Sequence, residues 1–268
     1  MGKRRGFMST VLATAVAGAF LAAPVGAGAA MTADATGGTL TITGEADVDS
    51  LLVDYDETRP DLILVADPQP PFEPIAGAGE CVAGADPVHL TPEVRCPLAA
   101  ARTILVDLLA GDDQLGVSVH RGDELISDAI FPALTTVRGG DGDDELQTAG
   151  AGSSAFGEGG DDQIWSRLGD NLLFGGHGKD RLLDGEGGND RLYGGGGADV
   201  LAGWSGKDRL DGGGGRDTLR GGAGRDTLFA IDGIQDKRIQ CDGGRGDYTR
   251  TDWSLDPRPR GCERIAHH

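Results

Sequence analysis

The chain is poor in aromatic residues and in positive charge. Only 13 of its 268 residues are aromatic (3 Trp, 3 Tyr, 7 Phe), and 24 Lys and Arg face 43 Asp and Glu. With 47 glycines, against an average usage of about 7%, a thick globular core is excluded, because glycine at that density weakens helices and packed layers alike. The shortage of cations argues against nucleic acid and anionic lipid as partners, since binding to both rests on Lys and Arg. Helical periodicity is absent, and no segment after the first thirty residues could cross a membrane. There is no His-Glu-x-x-His, no Gly-x-Ser-x-Gly and no Cys-x-x-Cys. "GGGGAD" at 194–199 lacks the Lys-Ser/Thr of a phosphate loop. These gaps favour a non-enzymatic protein.

Residues 1–29 have a basic start ("MGKRR"), an apolar run and a small-residue "AGA" at 27–29, the layout of a cleaved signal peptide. Without Lys3, Arg4 and Arg5 the chain would carry 21 basic and 43 acidic residues, a net charge of −22. Such a surface attracts cations. Export also makes disulfides plausible. The four cysteines (Cys81, Cys96, Cys241, Cys262) permit three pairings, of which Cys81–Cys96 with Cys241–Cys262 is preferred because each pair brackets a non-repeating segment.

The dominant feature is a nine-residue repeat, G-G-x-G-x-D-x-U-x with U a large aliphatic residue. It divides Gly139–Phe229 into ten units, with one extra residue at Asp184. The sixth position is Asp at all but Ser153 and Asn171, and the eighth is Leu or Ile at all but Ala155. Three residues such as "RLL" form a minimal strand whose middle side chain points inward while its neighbours face water. Glycines in the other six permit a sharp turn. Two units make an 18-residue coil, and stacked coils share a ladder of leucines, predicting an all-β fold: a right-handed parallel β-roll, or β-solenoid. Carboxylates and carbonyl oxygens crowded at stacked turns form an oxygen-only ligand set that suits calcium better than magnesium. An Asx-type turn residue is the plainer reading of Asp, but Asn or Ser would serve that role equally and occur here only twice.

These units resemble the RTX, or haemolysin-type, calcium-binding nonapeptide repeats. The resemblance implies a β-roll holding several calcium ions in two rows, with carbonyl ligands from the glycine-rich turns. One row would use Gly140, Gly142 and Asp144, Gly160 and Asp162, Gly176, Gly178 and Asp180, Gly195, Gly197 and Asp199, and Gly213, Gly215 and Asp217. The other would use Asn171, Gly188 and Asp190, Gly206 and Asp208, and Gly222, Gly224 and Asp226. Ser153 and the unit "TAGAGSSAF" depart from the pattern, so the second row is expected to start late. The N-terminal signal is a further departure, since many such proteins use an uncleaved C-terminal one.

The flanks are expected to be β-rich and disulfide-stapled. Residues 30–138 contain strand-like runs at 39–43, 50–55, 61–66, 103–109 and 115–119, and "GDDQL" at 111–115 copies half a repeat. This region reads as an irregular early part of the same solenoid, with a separate β-domain as the alternative. "PQPPFEP" at 68–74 reads as a surface loop. Residues 230–268, with seven acids and seven bases, read as a polar cap over the last leucine layer. His267 and His268 read as a frayed end. Phe156, Phe174, Tyr193, Asp211 and Phe229 fall on one outer face. They are expected to pack on one another, with a sugar-binding stripe as the alternative. The expectation is a secreted, extracellular calcium-binding structural or interaction module. Its partners are calcium ions, with an extracellular polysaccharide or the cell surface as further candidates, and no membrane insertion follows signal cleavage. The alternatives are a carbohydrate-binding or adhesive module, or a calcium-dependent polysaccharide-modifying enzyme with carboxylates outside the repeat turns.

Overall fold

A computed structural model describes residues 32–36, 39–44, 50–56, 62–66, 76–79, 81–85, 92–97, 103–121, 124–125, 134–148, 150, 152–184, 187–252 and 254–267. The proposed signal peptide, the 68–74 loop and His268 lie outside them. The described residues form no helix. They build a parallel β-solenoid from two sheets of 12 and 13 strands.

Each repeat pair contributes one strand to each sheet. In one sheet Leu134–Asp141, Ser154–Gly159, Leu172–Gly178, Arg191–Gly197, Arg209–Gly215 and Thr227–Ala230 stack in parallel. In the other, Glu145–Gln147, Gln163–Ser166, Arg181–Asp184, Val200–Ala202 and Thr218–Gly224 do the same. Register is fixed by the inward residue, since a one-residue slip would turn every aliphatic side chain to water. Leu146, Ile164, Leu182, Leu201 and Leu219 pair in one column, and Val137, Ala155, Leu173, Leu192, Leu210 and Leu228 in the other. All are fully buried. The register survives the extra Asp184, with Leu182 still opposite Leu201. Leu182→Ala is expected to cost about 2–5 kcal/mol, from lost transfer energy and an unfilled cavity between fixed coils. Thermal unfolding in calcium would read it.

The sheets extend beyond the repeats in both directions. Thr39–Thr43 and Thr103–Asp107 lead one sheet into the repeat region, and Ser50–Asp56 and Gln114–Arg121 lead the other. Antiparallel pairings also occur here, as between Ser50–Asp56 and Leu62–Ala66, and between Leu62–Ala66 and Pro92–Pro97. Cys81 is bonded to Cys96 across a separation of 15 residues, a closure that stabilises by about 3 kcal/mol. At the other end Arg238–Gly244, Tyr248–Thr251 and Arg264–His267 continue the coils, with Cys241 bonded to Cys262. The column of Leu228 continues through Thr249 to Ile265, and that of Leu219 through Ile239.

Candidate metal centre

The sixth-position residues line up along both turn rows, and a hydrogen-bond ladder joins them. The backbone N–H of Asp144 donates to Oδ1 of Asp162 at 2.9 Å, and that of Asp162 to Oδ1 of Asp180 at 3.0 Å. Asp180 donates likewise to Asp199 at 2.8 Å, and Asp199 to Asp217 at 2.9 Å. In the second row Ser153 donates to Asn171 Oδ1 (3.2 Å), Asn171 to Asp190 (2.7 Å), Asp190 to Asp208 (3.0 Å) and Asp208 to Asp226 (3.0 Å). One carboxylate oxygen therefore ties each coil to the one before it. This is the structural part that a turn residue would play.

The second oxygen is different. Oδ2 of Asp144, Asp162, Asp180, Asp199, Asp208 and Asp226 is buried and accepts no hydrogen bond. These side chains are at most 2% exposed. Burial pushes Asp144, Asp162, Asp199 and Asp208 up to about 7, and Asp180 and Asp226 to about 6, against the lowering effect of the backbone N–H. Neighbouring carboxylates in or beside the row raise them further. An unpaired buried carboxylate is costly, so each must take up a proton or a cation.

The space beside Oδ2 is shaped by the first glycine of each unit. A Cβ on Gly157 would lie 2.0 Å from Asp162 Oδ2 and 2.6 Å from the Gly175 carbonyl oxygen of the next coil. At Gly175 the corresponding values are 2.2 Å to Asp180 Oδ2 and 2.6 Å to the Gly194 oxygen. Carboxylate and inter-coil carbonyl oxygens thus face the same small volume, which a side chain would fill. The described glycines at the second and fourth positions take positive φ, as at Gly176 (122°) and Gly178 (127°). Their counterparts Gly140, Gly142, Gly160, Gly188, Gly195, Gly197, Gly206, Gly213, Gly215, Gly222 and Gly224 do the same. Glu158 (80°) and Trp204 (62°) hold this conformation despite their side chains, at about 1–2 kcal/mol each. Among the described residues no three His, Cys, Asp or Glu side chains form a metal cluster. Any ion here needs backbone oxygens as well as carboxylates, a donor set that fits calcium.

The structure adds residues that the nine-residue count misses. Asp113 precedes Asp144 in the first ladder (2.9 Å), and Asp236 and Asp256 follow Asp217 (2.8 and 3.0 Å). Thr135 precedes Ser153 in the second, and Asp247 and Glu263 follow Asp226. Asp247 is fully buried with Oδ2 accepting nothing, and burial pushes Asp236 up to about 7. "GDDQL" had signalled Asp113. The C-terminal members are spaced 19, 20, 21 and 16 residues from their predecessors, which hides them from a strict period.

The family described as RTX calcium-binding nonapeptide repeat (4 copies) matches residues 156–183, 182–210 and 203–233. Residues 156–233 are similar to the RTX calcium-binding repeats. A comparison with curated proteins finds no match. The RTX match ends before Asp236 and Asp247 and begins after Asp113 and Asp144, so the ladders outrun the matched repeats at both ends. Outside the buried ladders runs an exposed one at the fifth position of the RTX units. There Asp143 donates to Asp112, Asp161 to Asp143, and Lys179 to Asp161.

Proposed function

We propose that the protein is a secreted calcium-binding structural or interaction module whose β-roll is completed by calcium held between successive coils. The observation that carries this reading is the set of buried Oδ2 atoms without hydrogen bonds, which at Asp144, Asp162, Asp180 and Asp199 share their space with inter-coil carbonyl oxygens. In the first row the ligands are the carboxylates of Asp144, Asp162, Asp180, Asp199 and Asp217 with carbonyls of the glycine turns. In the second they are those of Asp190, Asp208 and Asp226, and the ladder geometry adds Asp236 and Asp247. Calcium supplies the positive charge that these oxygens lack, while Oδ1 keeps each coil in register with the last. On this reading residues 139–229 form the ion-dependent segment, 30–138 its irregular lead-in and 230–268 its stapled end. Residues 1–29 direct export. The module acts by ordering itself in extracellular calcium and not by catalysis.

The outer aromatic face gives the sugar-binding alternative little support. Phe156, Phe174 and Tyr193 stack on one another, with centroids 5.1 and 4.6 Å apart and planes within 10°. The stack covers both faces of Phe174 and one each of Phe156 and Tyr193, and Arg209 sits 4.0 Å over the Phe229 ring. Isothermal titration tests the calcium reading. Saturable binding with Kd on the order of 10⁻⁴ to 10⁻³ M is expected, as for extracellular modules, reversed by chelator and not matched by magnesium. Equal binding of magnesium, or none of calcium, would sink it.

A further inference from the structure

Asn171 stands where the later turns of its row carry aspartate, and its side chain offers different chemistry. Its Oδ1 keeps the ladder, accepting from Ser153 N–H. At the place of the orphaned Oδ2 it has an amide nitrogen. That Nδ2 donates to the carbonyl oxygens of Arg167 at 2.9 Å and Gly169 at 2.8 Å, the second and fourth positions of the same turn. These positions supply the carbonyl ligands in the calcium reading. Asn171 is 2% exposed.

We propose that the Asn171 amide takes the cation's part in this turn, closing residues 166–171 without calcium, so that the second ion row begins at Asp190. The inference rests on the calcium reading above and restricts it. A neutral amide brings two N–H donors to two carbonyl oxygens, whereas a carboxylate brings a third acceptor and leaves all three to repel until a cation or proton arrives. The rest of the turn agrees. In seven nonapeptide units a Cβ on the first glycine would lie 1.9–2.6 Å from Oδ2 of the unit's own aspartate. The two units that place a side chain there, Thr148 and Ser166, have Ser153 and Asn171 at position six. The residue that would crowd the ion's oxygen and the loss of that oxygen go together. The coil through Asn171 is thereby ordered before any ion binds, giving the ion-dependent coils a template to stack on.

The test compares the full chain with Ser166→Gly/Asn171→Asp, which restores the glycine–aspartate pair, and with Asp162→Asn, which places an amide in a calcium turn. Equilibrium dialysis against calcium counts bound ions, and far-UV circular dichroism reads metal-free order. The double variant is expected to gain at least one ion per chain and to lose metal-free β signal. Asp162→Asn is expected to lose at least one ion and to gain metal-free signal. An unchanged ion count in the double variant, with the parent binding calcium normally, overturns the inference alone. If the parent binds no calcium, the calcium reading itself fails, and an Asp162→Asn metal-free signal no higher than the parent's rejects the amide's role as well. Should the double variant not fold, Asp162→Asn decides: full calcium uptake by that variant overturns the proposal.

Discussion

Without calcium at about pH 8, the chain is expected to lose most of the β signal of its repeat region, and acid to about pH 4 is expected to restore it. The cause is the set of buried carboxyls at Asp144, Asp162, Asp199, Asp208 and Asp236, pushed up to about 7, and at Asp180 and Asp226, pushed up to about 6. In the unfolded chain each returns to 3.8. A group whose folded value is raised gives its full stabilisation below the unfolded value and loses it as pH rises through the folded value. The loss therefore falls across the window from 3.8 to about 7. One carboxyl moved that far costs about 4 kcal/mol once ionised, and a whole domain commands only about 5–15 kcal/mol. Ionising even three without a counter-ion would exhaust that reserve. Calcium added at about pH 8 should restore the same signal, and at about pH 6 its binding should release protons into weak buffer, because the ligands must be ionised. Circular dichroism and a pH-stat check both parts. A metal-free spectrum flat across this window would mean the carboxylates are neutralised in some other way.

Adjacent glycines should respond oppositely to the same substitution. Gly215 has φ 138°, and a Cβ there would lie 1.4 Å from the Gly197 carbonyl oxygen. Gly215→Ala therefore meets both a forbidden backbone region and a backbone atom that cannot rotate aside. The coils must separate, at a cost of about 3–5 kcal/mol from the strained conformation and the overpacking together. Calcium binding at that turn should fail with it. Gly214 does not take positive φ, and the nearest atom to its Cβ would be 4.0 Å away. Gly214→Ala should be neutral or should stabilise by about 0.4–1 kcal/mol, because alanine loses less freedom on folding. Thermal unfolding in saturating calcium separates the two. Equal effects would show that the coil spacing at this turn is looser than the backbone geometry implies.

Much of this was legible in the residues. The period alone carries the strand direction, the leucine columns and the aspartate rows, because each unit is identical in kind and can be satisfied only by stacking on a copy of itself. "GDDQL" copies half a repeat and so puts Asp113 at the aspartate position, where the structure finds it in the ladder. The limits of legibility are equally particular. Asp236 and Asp247 lie beyond a strict nine-residue count, since loops of other lengths bring them into line. Asn171 reads as one more ligand by position, and only the structure shows its amide donating to the carbonyl oxygens of Arg167 and Gly169. The outward rings at 156, 174 and 193 were expected to pack on one another and do so, whereas Arg209 over the Phe229 ring was not foreseen.

The sequence by itself determined the architecture, because a repeated pattern of turn, carboxylate and inward leucine has a single way to bury its apolar side chains. It also chose the chemistry of the rows, since aspartate and glycine at fixed spacing supply oxygens and little else. Tertiary structure decided how the two carboxylate oxygens divide their work, one tying coils together and one left buried without a hydrogen bond. That division depends on the distance between coils, which belongs to no single unit, and it is what turns a row of turn residues into a place for cations.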